Sequence, residues 1–305
     1  MEKHRKKLIK NAAVFDGHSS GLAQGKKIVI EDDLVTEITA DEVSEENFDE
    51  VFDGTGMVAM PGMTDAHVHL GCLFAKGEFP VDYATVLTVA KCKDALMAGF
   101  TTFRDAGSVS EGLKLAFDEG VLPGPRIYPC GAYISQTCGH GDSEYAHTYR
   151  DIQYRHPSST VLADGVPEII RAVREQFYRG ASHIKLMATE ILNRHEDIRL
   201  LFGTDMMITG PDYQVEQSED IRYYEKRFGT MRALRALTGT ANEVFALTTY
   251  QNPYQKGKIG VLEAGSYADL LLVDGDPTKS VSVLADTDHL RLIMKGGTVY
   301  KNTLC

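Results

Sequence analysis

The hydrophobic pattern at the two ends of the chain differs from the pattern in the middle. Near the start, "KKIVIEDDLVTEIT" holds two short β-branched runs on either side of Asp32 and Asp33, which predicts a β-hairpin. Near the end, "YADLLLVDGDP" predicts one strand. "HLRLIMKGGTVYKN" holds two further runs joined through Gly296 and Gly297, which suit a tight hairpin turn. We therefore expect the two ends to pair into one small discontinuous β domain.

In the middle of the chain, strand patterns alternate with helix patterns. "TVLTVAKCKDALMAGF" has apolar residues at helical spacing, ends at Gly99, and is followed by "TTFRDAG", which predicts a strand. The apolar positions that define this helix are Val86, Leu87, Ala90 and Ala95. "PRIYPCGAYIS" predicts a further strand, and "GTMRALRALTGTANEVFAL" predicts one further helix. Alternating strands and helices imply a parallel sheet, either open or closed.

The clearest helix-strand unit is "VPEIIRAVREQFYRGASHIKLMAT". Pro167 suits the first turn of a helix, and Ile169, Val173 and Phe177 share one helical face. Gly180 ends the helix, and "HIKLMAT" follows as a predicted strand.

A second apolar run, "IRLLFGTD", begins soon after "HIKLMAT" and also predicts a strand. Eight residues, 190–197, separate the two runs. A crossover between parallel strands needs about a dozen residues or more and usually contains a helix. The two predicted strands are therefore not consecutive strands of an ordinary barrel.

Composition places the chain among soluble globular proteins. The chain has 305 residues, of which 43% are apolar and 25% are charged. The net charge of −11 argues against a nucleic-acid surface, which needs clustered Lys and Arg. No apolar run reaches the length of about 18 residues that a membrane span needs. The expected partner is thus a small molecule, with no nucleic acid and no membrane.

The cysteines point to a reducing compartment. They are five in number, never form a C-x-x-C pair, and are scattered at Cys72, Cys92, Cys130, Cys138 and Cys305. A disulfide framework or a cysteine zinc site is therefore not expected, and a cytoplasmic location fits.

The strongest chemical signal is the segment "PGMTDAHVHLG". Side chains alternate across a strand, so His67 and His69 project to the same side and together can bind one divalent metal ion. A bare H-x-H also fits two ordinary polar residues at a strand edge. The surroundings favour the metal site, because Asp65 comes two residues before His67 and Gly71 interrupts the strand.

Several segments, in order, resemble the amidohydrolase superfamily of metal-dependent hydrolases. "PGMTDAHVHL", "TTFRDAG", "HIKLMAT" and "FGTDMM" resemble the first, second, fourth and eighth strands of its (β/α)8 TIM barrel. "IGVLEAGSYADLLLVDGDP" is similar to the family's return into a flanking β-sandwich. "SQTCGHGD" resembles a loop of the imidazolonepropionase-like and Xaa-Pro dipeptidase-like branch.

This resemblance implies an α/β fold whose metallohydrolase barrel is incomplete. Residues 1–58 and 258–305 would form the two parts of a small discontinuous β-sandwich, and residues 59–257 would form a partial barrel. The family's fifth, sixth and seventh strands have no counterpart in the sequence. In the family, the fifth and sixth strands each bring a histidine to a second metal, so one metal at most is expected here.

The resemblance also implies a role for each matching residue. His67 and His69 would bind the first divalent metal, with zinc expected. Lys185 would carry a carbamate that ligates the metal, or it would be an ordinary salt-bridged lysine. Asp205 would complete the metal shell and act as the catalytic base on water, or it would cap the turn after Gly203.

Four other polar residues have weaker signals. His140 would lie near the substrate by resemblance, and a turn-bound loop histidine is an equal alternative. Asp105 would hold hydrogen bonds of the site or simply end a strand. His183 is given a hydrogen-bonding or packing role, and His195 is interpreted as solvated.

Three functional hypotheses follow from the sequence. The first is a metal-dependent hydrolase of C–N bonds in amides, cyclic amides or dipeptides. The second is a shortened, catalytically impaired remnant that associates into a homo-oligomer through exposed sheet edges. The third is a protein that binds one metal ion or a ligand without turnover.

Overall fold

The computed structural model describes residues 5–70, 81–107, 111–139, 141–142, 160–187, 199–207 and 213–304. The described strands in chain order are β1 (Lys6–Lys10), β2 (Ala13–Val14), β3 (Lys27–Glu31), β4 (Leu34–Thr39), β5 (Glu50–Asp53), β6 (Val58–Pro61), β7 (Met63–His69), β8 (Phe100–Asp105), β9 (Arg126–Tyr128), β10 (Tyr133–Ser135), β11 (Thr160–Leu162), β12 (Met206–Met207), β13 (Leu270–Val273), β14 (Leu290–Lys295) and β15 (Thr298–Asn302). The described helices are α1 (Val81–Met97), α2 (Glu111–Asp118), α3 (Val166–Tyr178), α4 (Tyr213–Phe228), α5 (Thr230–Leu237) and α6 (Gly239–Ala246).

Strands from both ends of the chain form one sheet. A five-stranded sheet runs in the order β15-β14-β13-β6-β2, and β13 pairs antiparallel with β6 so that Leu270 lies opposite Pro61. A four-stranded sheet, β4-β3-β1-β5, lies beside it and shares a buried apolar cluster with it. The two predicted hairpins, β3 with β4 and β14 with β15, are confirmed. The domain boundaries near residues 58 and 257 stay a prediction.

The middle of the chain forms a parallel sheet in the order β12-β7-β8-β9. A separate parallel pair joins β10 and β11. Helices α1, α2, α4 and α5 contribute to the apolar cluster that covers the sheet. Within the described part of the chain these strands do not close into a barrel. No helix in that part is both long and apolar enough to cross a membrane.

The two predicted strands on either side of residues 190–197 form only in part within the described residues. Of the "HIKLMAT" segment the structure describes residues 183–187, which make a single parallel bridge from Leu186 to Ile134. In the "IRLLFGTD" segment, residues 199–205 lie outside any strand, although Phe202 and Asp205 make backbone hydrogen bonds to β7, and the short strand β12 begins at Met206. Asp205, directly before β12, has a left-handed backbone with φ 55°, so the extended conformation is interrupted at this residue.

The buried face of α1 agrees only in part with the predicted face, because Ala95 is buried as predicted but Ala90 is exposed. Val86 is 67% exposed, whereas the buried positions include Thr88, Cys92 and Leu96. These positions follow helical spacing, but one of them is polar. The Thr88 hydroxyl donates to the backbone oxygen of Leu70 at 3.1 Å, and a hydrogen-bonded threonine is tolerated in the interior. An apolar pattern alone could not identify this face.

The last predicted helix is two helices. Thr238 separates α5 from α6 with a backbone that is neither helical nor extended, at φ −135° and ψ −99°. Gly239, at the start of α6, packs so closely against the backbone oxygen of Gly17 that any side chain there would clash with it. The close approach joins the helical region to the N-terminal strands.

Glu225 connects α4 to the C-terminal part of the chain. Its carboxylate accepts hydrogen bonds from the Ser280 hydroxyl at 2.9 Å and from the Val281 amide at 3.0 Å. The Ser282 hydroxyl and the Thr230 hydroxyl donate to it as well, at 2.5 and 2.9 Å. Burial alone would raise the pKa of Glu225, but these hydrogen bonds outweigh it and the pKa is lowered.

Glu225→Gln is expected to lower the free energy of unfolding by about 1.5–3 kcal/mol, since hydrogen bonds to a charged acceptor contribute that much. Because the folded-state pKa is depressed, this stabilisation is present above the ordinary pKa near 4.5 and is lost as pH falls through the folded value. Urea denaturation at pH 7 and pH 4 measures both effects. Glu216→Gln, at an exposed position of the same helix, is the control and should change stability little. Equal stability of the two variants at pH 7 would contradict this role.

Candidate metal centre

His67 and His69 lie on the same side of β7, as their spacing predicts. Their ring centroids are 5.5 Å apart. The His67 side chain is 36% exposed and that of His69 is 12% exposed. Both are thus anchored in a buried strand while their ring nitrogens reach the end of the sheet.

The segment 203–205 brings a carboxylate to these rings. The Asp205 amide donates to the backbone oxygen of His67 at 2.7 Å, and the Ala66 amide donates to that of Phe202 at 2.8 Å. Gly203 is required at its position, because a Cβ there would lie 2.7 Å from the Cβ of His67. The left-handed backbone of Asp205 is uncommon for a non-glycine residue, and such conformations concentrate at functional sites.

Three side chains converge at this point. Asp205 Oδ1 lies 3.0 Å from His67 Nε2 and 3.2 Å from His69 Nε2. In a tetrahedral zinc site with bonds of about 2.1 Å, neighbouring ligand atoms lie roughly 3.4 Å apart. Within the described residues, this trio is the one group of three or more His, Cys, Asp or Glu whose ligand atoms all lie within 4.8 Å. The donor set therefore fits one divalent cation.

Lys185 joins the cluster from the segment beside β10. Its Nζ lies 2.9 Å from His67 Nε2, and its backbone oxygen accepts from the Ile134 amide at 2.9 Å. The contacting atom is that of an unmodified lysine. In the ammonium form it has no lone pair for a metal, and it competes with a cation for the lone pair of His67.

Both histidines are held in the form that binds metals. Burial, reinforced by the charge of Lys185, lowers the pKa of His67 to about 4 despite the opposing effect of Asp205. Burial also lowers the pKa of His69. Both rings are therefore neutral at neutral pH, as metal ligation requires. One feature departs from usual metal sites, since His69 Nδ1 is buried without a hydrogen-bond partner in the described part of the chain.

Asp65 connects three segments of the site through hydrogen bonds. Its buried carboxylate accepts from the His67 amide at 3.1 Å, from the Thr204 hydroxyl at 2.9 Å and from the Gln217 side-chain amide at 3.4 Å. Burial raises the pKa of Asp65 to about 7, while these hydrogen bonds oppose the rise. Asp65 thus links β7, the segment that carries Asp205, and α4. The sequence signalled it only by its position two residues before the first histidine.

Asp105 and His183 form a second supporting group. The Asp105 carboxylate accepts from the Leu70 amide and the Gly107 amide, each at 3.2 Å, so it both ends β8 and holds the site. His183 Nε2 lies 3.0 Å from the backbone oxygen of Asp105, and its Nδ1 lies 3.0 Å from the Ser182 hydroxyl. The predicted hydrogen-bonding role of His183 is observed. It fixes the segment that carries Lys185 against the end of β8.

Two histidines with predicted roles cannot be placed in the structure. His140 and His195 lie outside the described residues. The substrate-binding role of His140 therefore stays a prediction. One residue that the sequence analysis passed over, Arg104, lies near the centre, and its Nη1 donates to the backbone oxygen of Ala66 at 3.4 Å.

Parts of this chain are similar to known sequences. Residues 58–197 match the sequence model of the amidohydrolase family. An ochratoxinase of Aspergillus niger is 34% identical over an alignment of 152 residues, and the match covers 43% of this chain and 31% of the ochratoxinase. An imidazolonepropionase of Picrophilus torridus is 39% identical over an alignment of 176 residues, and the match covers 53% of this chain and 43% of that protein. The chain therefore spans less than half the length of these curated relatives.

Solved structures share the fold. A crystal structure of an amidohydrolase superposes with a TM-score of 0.84 at 23% identity, covering 98% of this chain and all of that one. A prolidase complexed with N-methylphosphonate-L-proline gives a TM-score of 0.83 at 22% identity, covering 97% and 100% of the two chains. These similarities show a mixed α/β fold of the TIM-barrel type.

Proposed function

Because this chain belongs to the amidohydrolase family through residues 58–197, we propose that it is a metal-dependent hydrolase of C–N bonds in small amides, cyclic amides or dipeptides. The observation that carries the proposal is the convergence of His67, His69 and Asp205. Two hydrolases among the similar proteins, the ochratoxinase and the prolidase, support the reaction class.

The residues of the metal centre have two proposed roles, metal binding and proton transfer. A divalent cation held by the two imidazoles and Asp205 would supply Lewis-acid chemistry, lowering the pKa of a water molecule and polarising a carbonyl group. Asp205 has the exposed position that a general base needs, because 71% of its side chain is accessible. We propose that its carboxylate takes the proton of the attacking water and later returns it to the leaving nitrogen.

Zinc is the metal we propose, since two imidazole nitrogens and one carboxylate oxygen are typical zinc ligands. We further propose that Lys185, after its ammonium group loses a proton to water, attacks the carbon of CO₂ to form an N–C bond and releases a second proton, which leaves a carbamate anion. That change removes the competing ammonium and replaces it with an anion whose oxygen atoms suit a metal. The position of Lys185 Nζ, 2.9 Å from His67 Nε2, supports this assignment.

The layout of the chain limits the metal number. We propose that the fifth to seventh barrel strands of the family are absent, which leaves a partial barrel at 59–257 between sandwich parts at 1–58 and 258–305. The histidines that hold a second metal in the family would then be missing, and one metal per chain is expected. A reducing cytoplasm remains the expected location, and the described cysteines Cys92, Cys130 and Cys138 are free thiols.

The proposal is tested by metal analysis combined with an amidase assay. Protein reconstituted with zinc and desalted is expected to retain one zinc per chain by mass spectrometry and to release product from a panel of N-acyl amino acids and Xaa-Pro dipeptides. His69→Asn should lose the zinc, whereas His18→Asn, at an exposed position near the start of the chain and outside the metal centre, should keep it. Stoichiometric zinc without any turnover would contradict the hydrolase proposal and select a metal-binding protein. Unchanged zinc in His69→Asn would contradict the site itself.

A further inference from the structure

Arg104 is a partly buried arginine at the carboxyl end of β8, next to the candidate metal centre. Its Nη1 makes one long hydrogen bond, 3.4 Å, to the backbone oxygen of Ala66, which directly precedes His67. A carbonyl oxygen satisfies only one of the five N–H donors of a guanidinium. Among the described residues, the remaining N–H groups of Arg104 therefore have no hydrogen-bond acceptor and can bind another group.

No carboxylate compensates this guanidinium within the part of the chain that the structure describes. Asp105 is adjacent in sequence, but its carboxylate accepts from the amides of Leu70 and Gly107. Asp65 is engaged by β7, Thr204 and Gln217. A guanidinium removed from water normally pairs with an anion, because burial of an unpaired charge is costly.

The guanidinium lies beside the strand that carries the two histidines, because its Nη1 contacts the backbone oxygen of Ala66. Arg104 is followed directly by Asp105, whose backbone oxygen lies 3.0 Å from Nε2 of His183 on the segment that carries Lys185. With a divalent cation, a carbamate on Lys185 and an ionised Asp205, the charges of the centre cancel. Arg104 then adds one positive charge, which an anionic group of the bound molecule would balance.

We propose that Arg104 is a specificity-determining residue that binds an anionic group of the substrate, with a carboxylate as the chemical class. A guanidinium presents a planar pair of donors that matches the two oxygens of a carboxylate. The inference rests on the proposed hydrolase function for its catalytic consequence. The expected effect of Arg104 on substrate binding does not depend on turnover. A neutral analogue of the same shape has no negative charge to pair with the Arg104 guanidinium, so we expect it to bind less tightly.

The catalytic test compares alanylproline with its carboxamide, alanylprolinamide. The wild-type chain is expected to hydrolyse the carboxylate form with the higher kcat/KM. Arg104→Gln should lower kcat/KM for alanylproline by about 10–100-fold, as expected for lost hydrogen bonds to a charged group, and leave alanylprolinamide nearly unchanged. Arg104→Lys should restore part of the loss, and Arg199→Gln, which removes an exposed arginine paired with Glu243, should have no effect.

A binding test separates this inference from the hydrolase proposal. Calorimetric titration with N-acetylproline and N-acetylprolinamide needs no turnover. At least tenfold weaker binding of N-acetylproline to Arg104→Gln, with both variants folded by circular dichroism, supports the inference even if no substrate is cleaved. Equal binding of the two probes to the wild-type chain overturns it, and this result stands even if Arg104→Gln fails to fold. An equal loss on carboxylate and carboxamide substrates also overturns it, while leaving the hydrolase proposal intact.

Discussion

Asp205→Asn is expected to reduce kcat for amide hydrolysis by about 10³-fold, within the range of roughly 10²–10⁴ typical of a lost general acid–base group. The amide side chain has no basic oxygen to take a proton from water. Asparagine tolerates the left-handed backbone that Asp205 adopts, and the amide hydrogen bond to His67 does not depend on the side chain. The variant should therefore keep the fold while it loses the chemistry.

Steady-state kinetics on the best substrate of the panel measures this effect, with zinc content determined on the same samples. Asp288→Asn removes an exposed carboxylate in a C-terminal turn and serves as the matched control. If Asp205→Asn retains wild-type kcat at equal zinc content, the proton-transfer role is wrong. If it loses zinc together with activity, Asp205 acts as a ligand first, and the pH profile of the residual rate separates the two roles.

The largest expected effect on stability is that of Arg126→Met, at about 3–5 kcal/mol of destabilisation. Arg126 on β9 binds Asp269, which directly precedes β13, through Nε at 2.6 Å and Nη2 at 3.1 Å. Asp269 also accepts from the Gly296 amide at 2.6 Å, and Arg126 lies 3.8 Å from the ring centroid of Tyr267. This buried pair joins the parallel sheet to the five-stranded sheet, and its loss leaves an unpaired buried carboxylate.

Equilibrium denaturation with urea measures the loss. The matched control is Arg199→Met, which breaks an ion pair whose two side chains are 54% and 49% exposed and should cost less than about 1 kcal/mol. The double variant Arg126→Met/Asp269→Asn should recover part of the stability, because the unpaired charge is removed. A loss for Arg126→Met no larger than that of the control would show that the pair does not hold the two sheets together.

The sequence predicted those parts of the fold that depend on local apolar periodicity. The strand that carries His67 and His69, the strand of "TTFRDAG" and both terminal hairpins form as expected. Pairing between the two chain ends followed from shared strand patterns. The face of α1 was not predictable in the same way, because Thr88 is buried through a hydrogen bond that no apolar pattern shows.

The candidate site was predictable where residue type and chain order were informative. His67, His69, Lys185 and Asp205 come together as the resemblance implied. The supporting residues were not predictable, because their roles arise from contacts between distant segments. Arg104 was missed for the same reason, since only its surroundings show that it has no carboxylate partner among the described residues.

Anomalous X-ray diffraction at the zinc absorption edge tests the central claim most directly. Crystals grown with zinc are predicted to show one anomalous peak per chain, within about 2.0–2.2 Å of His67 Nε2, His69 Nε2 and an oxygen of Asp205. Crystals of the His69→Asn variant should lack this peak. Zinc bound only elsewhere, or no peak at this position under saturating zinc, would contradict the assignment of a metal centre to these three side chains.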